Sequence, residues 1–276
     1  MANRHFAAFG DVWKHLPLAE VLKLNPPKHY WETHAGSVTY PLTDSPTRLQ
    51  GAIRFLSRAA TDRMLAQSEY LKVLHSMPGI YPGSAALAIQ TLQTSASYVF
   101  CDMDPESAMG LRQATSSLDA LIVEGDGVAA VATMAASISI ERPSDVFVHI
   151  DPFDPFERIT EGSMTPIELA AFLARRGFRV FYWYGYESTD ERGWARAEIS
   201  KLAPGIPLWC GDSLIPSLFV YPGRAGGWGC GIVMANMSDA EMSACSELGR
   251  ALEHISADDV LPHNQPERVH FRVIGG

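Results

Sequence analysis

Hydrophobic and polar positions alternate along this chain with two different spacings. Apolar residues recur at helical spacing over 11–24, but Pro17 interrupts them, so the pattern predicts a helix from about Leu18. The helix is expected to stop before Pro26, because the residue that precedes a proline disfavours helical geometry. A short apolar run at 29–33 then predicts the first strand.

Amphipathic helical spacing covers 45–77, between this strand and its expected partner. The position predicts a helical insertion over 42–80. A turn at 81–84 follows, with Ser84 as the expected N-cap of a helix that ends at Leu92.

The centre of the chain alternates strands with helices. The pattern predicts strands at 98–101, 120–123, 146–150 and 178–184, and helices at 105–113, 127–138 and 165–176. This order predicts one α/β domain over 1–276, with a mostly parallel, Rossmann-like sheet covered on both faces. After a helix at 192–202, the runs at 208–210, 217–221 and 230–235 predict an antiparallel edge, and a final helix is predicted over 239–255.

Composition narrows the classes of protein. The 276 residues carry 22 basic and 31 acidic side chains, a formal net charge of −9, and this balance disfavours RNA as a partner. Four cysteines without a Cys-x-x-Cys pair signal neither a zinc site nor a disulfide framework. No apolar stretch is long enough to span a bilayer, so a cytoplasmic protein without a membrane partner is expected.

Asp151 is the leading candidate for chemistry, because it ends the apolar run at 146–150. Ligands of open α/β sheets bind outside the carboxyl ends of the strands. Asp151-Pro152 also fits an ordinary turn after a strand.

Three further strand ends supply polar residues for the same crevice. Asp102 follows the second core strand and is suited to accept hydrogen bonds from two ribose hydroxyls, Gly36 allows close approach of a ligand, and Asp126 is suited to an adenine amino group, with Gly127 opening the next helix. Glycine-rich dinucleotide and triphosphate motifs are absent from the sequence. A nucleoside cofactor without a phosphate chain is therefore predicted, and S-adenosyl-L-methionine fits.

Several short blocks, in order and spacing, resemble the RlmJ family of ribosomal RNA adenine N6-methyltransferases. They are Asp11-Val12-Trp13-Lys14-His15, Thr33-His34-Ala35-Gly36, Tyr81-Pro82-Gly83-Ser84, Asp102-x-Asp104-Pro105, Asp126-Gly127 and Asp151-Pro152. The resemblance implies a class I methyltransferase that uses S-adenosylmethionine, with Asp151 catalytic and Lys14 beside the pocket. It also implies cofactor contacts from His15, His34, Ser84, Asp102, Asp126 and Gly127.

Other roles remain open for these residues. His15 and His34 also fit capping or packing positions, Lys14 a solvated charge and Glu32 an edge carboxylate. Tyr184 either packs in the core or lines a wall for the substrate, as does Tyr182.

The catalytic turn departs from the family, which has Asp-Pro-Pro-Tyr where this chain has Asp151-Pro152-Phe153-Asp154. The tyrosine that stacks on the base is missing, unless Phe153 or Phe156 replaces it from a shifted position. Asp154 adds a carboxylate that repels phosphate and attracts a cationic amine. The sequence therefore predicts an N-methyltransferase for an amine of a small molecule or another non-ribosomal acceptor. The alternatives are the ribosomal RNA activity and a protein that has lost catalysis but still binds the cofactor.

Overall fold

The computed structural model describes residues 6–137, 142–215, 228–257 and 268–274. The helices are α1 (Phe9–Leu24), α2 (Pro46–Gln50), α3 (Ala52–Arg58), α4 (Arg63–Ala66), α5 (Glu69–Ser76), α6 (Ser84–Leu92), α7 (Pro105–Ala114), α8 (Gly127–Ser137), α9 (Pro166–Arg175), α10 (Trp194–Leu202) and α11 (Asp239–Ala257). The strands are β1 (His29–Glu32), β2 (Thr39–Pro41), β3 (Ile80–Pro82), β4 (Ser97–Asp102), β5 (Ala120–Glu124), β6 (Val146–Ile150), β7 (Arg179–Tyr186), β8 (Leu208–Ile215), β9 (Trp228–Ala235) and β10 (Arg268–Ile274).

The main sheet has the strand order β10-β8-β9-β7-β6-β1-β4-β5. Strands β5, β4, β1, β6 and β7 are parallel neighbours, while β9, β8 and β10 form the antiparallel edge. The predicted Rossmann-like α/β fold is therefore confirmed. Because the parallel strands all end at the same edge, their following loops converge on one crevice.

Two hydrophobic layers cover the sheet. One contains the buried residues of α1, α5, α6 and α11, and the other those of α8, α9 and α10. Every residue of β6 is buried, which explains its continuous apolar run. Among the described residues, no helix has the length and apolarity needed to cross a membrane.

Helix α1 corrects the first sequence prediction, because it begins at Phe9 and runs through Pro17 rather than starting near Leu18. Proline removes one backbone hydrogen bond, but α1 packs against α5, α6 and α11, and this burial keeps the helix continuous. The early start has a functional consequence, since it places Lys14 and His15 on a rigid helix.

The structure also bears on the predicted start of α6, the predicted helical insertion and the predicted strands near the end of the chain. Ser84 is the first residue of α6 and Gly83 is its N-cap, so the predicted capping role was wrong. The range 42–80 contains the short helices α2 to α5, and β2 pairs with β3 around them. Strand β10 was not predicted, and the predicted strand at 217–221 lies outside the described residues.

Gly127 is required where α8 approaches the end of β1. A Cβ atom there would lie 2.0 Å from the carbonyl oxygen of Thr33 and 2.8 Å from the Cβ of Cys101. We expect Gly127→Ala to lower the free energy of unfolding by about 3 kcal/mol or more, because neither neighbour is the end of a flexible side chain. Chemical denaturation measures the change.

Gly110 provides the matched control, since a Cβ there meets only a methyl carbon of Val38 at 4.0 Å. Gly110→Ala lies inside α7 and should stabilise the protein by up to about 1 kcal/mol. Equal effects of the two substitutions would contradict the close packing of α8.

Candidate active site

The carboxyl end of β6 carries a buried ion pair. The Nζ atom of Lys14, on α1, lies 2.6 Å from Oδ2 of Asp151 and 3.4 Å from Oδ1 of Asp11. The same ammonium group lies 5.3 Å from the ring centre of Trp183 on β7. Lys14 is only 7% exposed, so its charge is directed at these partners rather than at solvent.

The pKa shifts in this cluster favour the charged forms of Lys14 and Asp151. Burial raises the pKa of Asp151, but the charges of Lys14 and His149 and the hydrogen bond from Lys14 outweigh burial, so the net pKa lies below its usual value. Burial alone would lower the pKa of Lys14, yet Asp151 and Asp11 together raise it. The pKa of Asp11 is raised above its usual value. Burial is the largest cause and the charge of Asp151 adds to it, while Lys14 acts in the opposite direction. At neutral pH, Asp151 is thus an ionised hydrogen-bond acceptor.

A second buried pair lies two residues earlier on β6. Nδ1 of His149 lies 2.8 Å from Oε1 of Glu32, and the hydroxyl of Tyr30 donates to Oε2 of Glu32 at 3.1 Å. Glu32 and His149 are directly opposite each other on β1 and β6 and are fully buried. Nδ1 of His149 faces this carboxylate, and its Nε2 has no hydrogen-bond partner in the part of the chain that the structure describes.

His15 lies at the end of a hydroxyl chain. Tyr70 donates to the hydroxyl of Tyr81 at 3.1 Å, and that hydroxyl lies 2.8 Å from Nδ1 of His15. The hydroxyl of Tyr81 thus links Tyr70 to the ring of His15. Among the described residues, Nε2 of His15 is buried without a partner. Burial, with the nearby charges of Lys14 and His149, lowers the pKa of His15 well below its usual value, so the ring is neutral.

Asp102 organises the loop that follows β1. Its Oδ2 accepts from the backbone N–H of Gly36 at 2.7 Å, and its Oδ1 accepts from the N–H of Asp104 at 2.8 Å. Gly36 has a φ of 62°, which favours glycine. His34, whose Nδ1 lies 2.7 Å from the hydroxyl of Thr33, is in the same loop, and burial lowers its pKa. The predicted cofactor residues of β1 and β4 are thus in contact.

Asp126 has structural partners at this edge, whereas Ser84 is a buried residue at the start of α6. Asp126 accepts from the N–H of Ala129 at 3.0 Å and from the hydroxyl of Thr160 at 2.6 Å. It thereby ties the start of α8 to the loop after β6. Ser84 is buried at the start of α6, beside the loop at 37–38 that Gly83 contacts closely.

The catalytic turn is split between buried and exposed residues. Pro152 is buried, whereas Phe153 is 98% exposed. Asp154 is also exposed, and its Oδ1 accepts from the N–H of Phe156 at 2.8 Å. Phe156 is 60% exposed and its ring centre lies 4.7 Å from that of Trp194. Two aromatic rings are therefore exposed in the loop that follows Asp151.

Tyr184 is not brought to this crevice. It is fully buried, its hydroxyl donates to Asp212 on β8, and its ring contacts those of Tyr182 and Trp194. The alternation on β7 allowed two roles for Tyr184. The structure shows Tyr184 packed in the core, so its predicted role as a wall of the substrate site was wrong. The hydroxyl of Tyr182 is buried and has no partner within the described ranges.

At the carboxyl ends of β1, β4, β5 and β6 lie these predicted site residues: His34, Gly36, Asp102, Asp126, Gly127, Asp151, Pro152, Phe153 and Asp154. Lys14 and His15 reach the site from α1, where Lys14 contacts Asp151, and Ser84 begins α6. Sequence reasoning did not assign roles to Asp11, His149 or Trp183, whose positions depend on contacts between distant segments. Among the described residues, no group of three or more side chains forms a metal site. A cavity of about 280 Å³ lies at the opposite end of the sheet, near His29, Ser97 and Asp119.

Comparisons with known proteins support the fold. No family model and no curated protein matches the chain. A solved structure of a Legionella pneumophila protein, described with the family model DUF519, is 18% identical, covers 98% of each chain and has a TM-score of 0.70. The precorrin-6y C5,15-methyltransferase of Geobacter metallireducens is 11% identical over 80% of this chain and 86% of its own, with a TM-score of 0.36. The strand order and the first likeness both support the Rossmann-like α/β fold.

Proposed function

We propose that this protein is an S-adenosylmethionine-dependent N-methyltransferase whose acceptor is an amine of a small molecule or another non-ribosomal compound. The observation that carries the proposal is the ionised Asp151, held by Lys14 at the edge where Asp102, Gly36 and His34 converge. The resemblance of the short sequence blocks to the RlmJ family supports the same chemistry.

The residues at this edge fit the proposed cofactor. Asp102 has acceptor capacity left after its two backbone hydrogen bonds, which suits ribose hydroxyls. The buried Nε2 of His15 has no hydrogen-bond partner among the described residues and suits a polar group of the cofactor. Bound there, S-adenosylmethionine supplies an electrophilic methyl group.

Asp151 would orient the acceptor amine. Its carboxylate accepts a hydrogen bond from an amine N–H, which directs the nitrogen lone pair away from Asp151 and towards the methyl group. The same carboxylate stabilises positive charge that develops on the nitrogen during attack. Lys14 fixes the second side of the carboxylate, and α1 shields it from water.

Charge at the rim favours a cationic or neutral acceptor over a polyanion. The loops after β4, β5, β6 and β7 carry the carboxylates of Asp104, Asp126, Asp151, Asp154, Glu157, Glu161, Glu187, Asp190 and Glu191. The adjoining element ends add those of Asp102, Glu106 and Glu124, of which Glu124 pairs with Arg112 at 3.1 Å. The cations of the same loops are Arg158, which pairs with Glu168 at 2.9 Å, and Arg192, whose Nε lies 3.8 Å from Asp212. Phosphates would meet net repulsion here.

One observation favours adenine in RNA as a second candidate. Phe153 and Phe156 expose aromatic rings beside Asp151, and such rings stack on flat bases. A small aromatic amine would use the same rings without bringing phosphates to the acidic rim.

Methyl transfer from labelled S-adenosylmethionine tests the choice between acceptors. We expect label on members of a panel of aliphatic and aromatic amines, and weak binding of a ribosomal RNA hairpin with a shallow salt dependence. Tight RNA binding with a steep salt dependence and transfer to adenine would replace the small-amine proposal. Cofactor binding without transfer to any acceptor would favour loss of catalysis.

Asp102→Ala tests the cofactor edge separately. Charge-assisted hydrogen bonds contribute about 1.5–3 kcal/mol each, so calorimetric titration should show S-adenosylmethionine affinity reduced about tenfold or more. Asp104→Ala is the control, because Asp104 caps α7 and should affect helix stability by about 1 kcal/mol while leaving affinity within a few-fold. Unchanged affinity in Asp102→Ala would remove Asp102 from the cofactor site.

A further inference from the structure

The loop after β6 carries three exposed apolar side chains, which we call the apolar row. Phe153 is 98% exposed, Phe156 60% and Ile159 44%. Phe153 is two residues from Asp151, so the Cα atoms of these two residues lie within about 7 Å of each other. A group of exposed apolar side chains bordered by polar residues is typical of a surface that binds another molecule.

Contacts with two neighbouring helices hold this loop in place. The hydroxyl of Thr160 donates to Asp126 at 2.6 Å, which ties the loop to the start of α8. The ring centre of Phe156 lies 4.7 Å from that of Trp194, the first residue of α10. The apolar row is therefore presented to solvent by a loop that is anchored at both ends of its span.

Exposed carboxylates border the apolar row. They are Asp154, Glu157 and Glu161 in the same loop, and Asp190 and Glu191 in the loop after β7. The cation of the first loop, Arg158, lies 2.9 Å from Glu168, which offsets its charge. This surface therefore attracts a partner that combines positive charge with apolar side chains, and it repels phosphates.

The extent of the surface favours a polypeptide over a small amine. A small amine at Asp151 would leave Phe156, Ile159 and most of the carboxylates without a partner. An extended polypeptide advances about 3.3 Å per residue, so a short segment covers the whole apolar row. Lysine carries its amine on a long flexible stem, which lets the nitrogen reach Asp151 while the peptide backbone stays on the rim.

We propose that the apolar row and its carboxylates bind a basic segment of a polypeptide and present one of its lysine amines to Asp151. This inference rests on the proposed function and narrows the acceptor to a protein or peptide amine. In the transfer, the lysine ammonium group loses one proton to water and its nitrogen bonds to the methyl carbon. The carbon–sulfur bond breaks and leaves its electron pair on sulfur. The products are a positively charged methyl-lysine and S-adenosylhomocysteine.

Calorimetric titration with three probes tests the size and charge of the partner. The probes are a short peptide rich in lysine and leucine, its counterpart with glutamate in place of lysine, and N-acetyl-lysine amide. We expect the basic peptide to bind about tenfold more tightly than N-acetyl-lysine amide, with an affinity that falls as salt rises, and the acidic peptide not to bind. Labelled S-adenosylmethionine should methylate the basic peptide in preference to N-acetyl-lysine amide.

Glu157→Lys tests the charge of the surface. It should weaken the basic peptide about fivefold at low salt, and the effect should shrink at high salt because exposed charges are screened. Asp119→Lys is the matched control, since it makes the same change in net charge at an exposed position before β5, at the opposite end of the sheet. Its effect should stay within about twofold.

Ile159→Ser tests the apolar row. It should weaken the basic peptide about threefold or more at both low and high salt, because apolar burial is not screened. Leu24→Ser is the control, since Leu24 is 46% exposed and lies about 15 Å along α1 from Lys14. Thermal unfolding checks that all four variants fold.

The outcomes distinguish this inference from the proposed function. Equal affinity for the basic peptide and N-acetyl-lysine amide, or equal effects of Glu157→Lys and Asp119→Lys, would overturn the polypeptide surface while leaving transfer to small amines in place. Tighter binding of a ribosomal RNA hairpin than of the basic peptide would replace the polypeptide with RNA. If the protein bound neither S-adenosylhomocysteine nor S-adenosylmethionine, the proposed function would fail, and with it the transfer to lysine.

Discussion

Lys14→Met is expected to lower the free energy of unfolding by about 3–5 kcal/mol at pH 7, because removal of one partner leaves buried charge without compensation. Lys14 faces two carboxylates, those of Asp151 at 2.6 Å and Asp11 at 3.4 Å. Methionine fills a similar volume, so the loss reports mainly the charge. Denaturant unfolding at several pH values measures it.

The pH dependence of the loss has a defined sign. The folded-state pKa of Asp151 is depressed in the parent protein, so its stabilising contribution is present above the unfolded pKa of about 3.9 and is lost as the pH falls through the folded pKa. Without Lys14, burial and mutual repulsion raise the pKa values of Asp151 and Asp11. The folded variant therefore gains protons as the pH falls, and its deficit relative to the parent should shrink between pH 7 and pH 4.

Lys23→Met is the matched control on the same helix. The side chain of Lys23 is 38% exposed, and its ammonium group lies 3.2 Å from Glu20. The loss of this group should change the free energy of unfolding by less than about 1 kcal/mol. If Lys14→Met were no more costly than Lys23→Met, or if its deficit did not vary with pH, the buried charge cluster would be contradicted.

Asp151→Asn should have the largest effect on catalysis. The asparagine side chain keeps the shape of Asp151 but loses the negative charge that stabilises the amine in the transition state, so transfer to the best amine of the acceptor panel should fall about a hundredfold or more. Cofactor affinity should change only a few-fold, since Asp102 and the loop at 34–36 are untouched. Single-turnover transfer and calorimetry measure the two quantities separately.

Asp154→Asn is the control for Asp151→Asn. Asp154 is exposed, and its oxygen accepts only from the N–H of Phe156 among the contacts described, which an asparagine oxygen also accepts. Transfer should fall less than tenfold. Equal losses in the two variants, or a normal rate in Asp151→Asn, would remove Asp151 from the catalytic centre.

Local patterns predicted the strands that position the site. The run at 146–150 is apolar because both faces of β6 are covered, and Asp151 follows it directly. Asp102 likewise ends β4, and Asp126 lies two residues after the end of β5. Each of these positions depends only on where a strand ends.

Contacts between distant segments could not be predicted in the same way. The Glu32–His149 pair depends on the register between β1 and β6, and the burial of Tyr184 depends on Asp212 from β8. The continuity of α1 through Pro17 depends on packing that outweighs a local helix breaker. A single sequence does not show which distant segments become neighbours in the fold.

Hydrogen exchange measured with and without S-adenosylhomocysteine tests the central claim most directly. We predict protection in the segments 33–37, 101–104, 124–128 and 149–152, because they form the carboxyl edge where Asp102 and Asp151 lie. The cavity near His29, Ser97 and Asp119 should show no protection. No protection anywhere at millimolar ligand, or protection confined to that cavity, would contradict a cofactor site at the edge that Asp151 occupies.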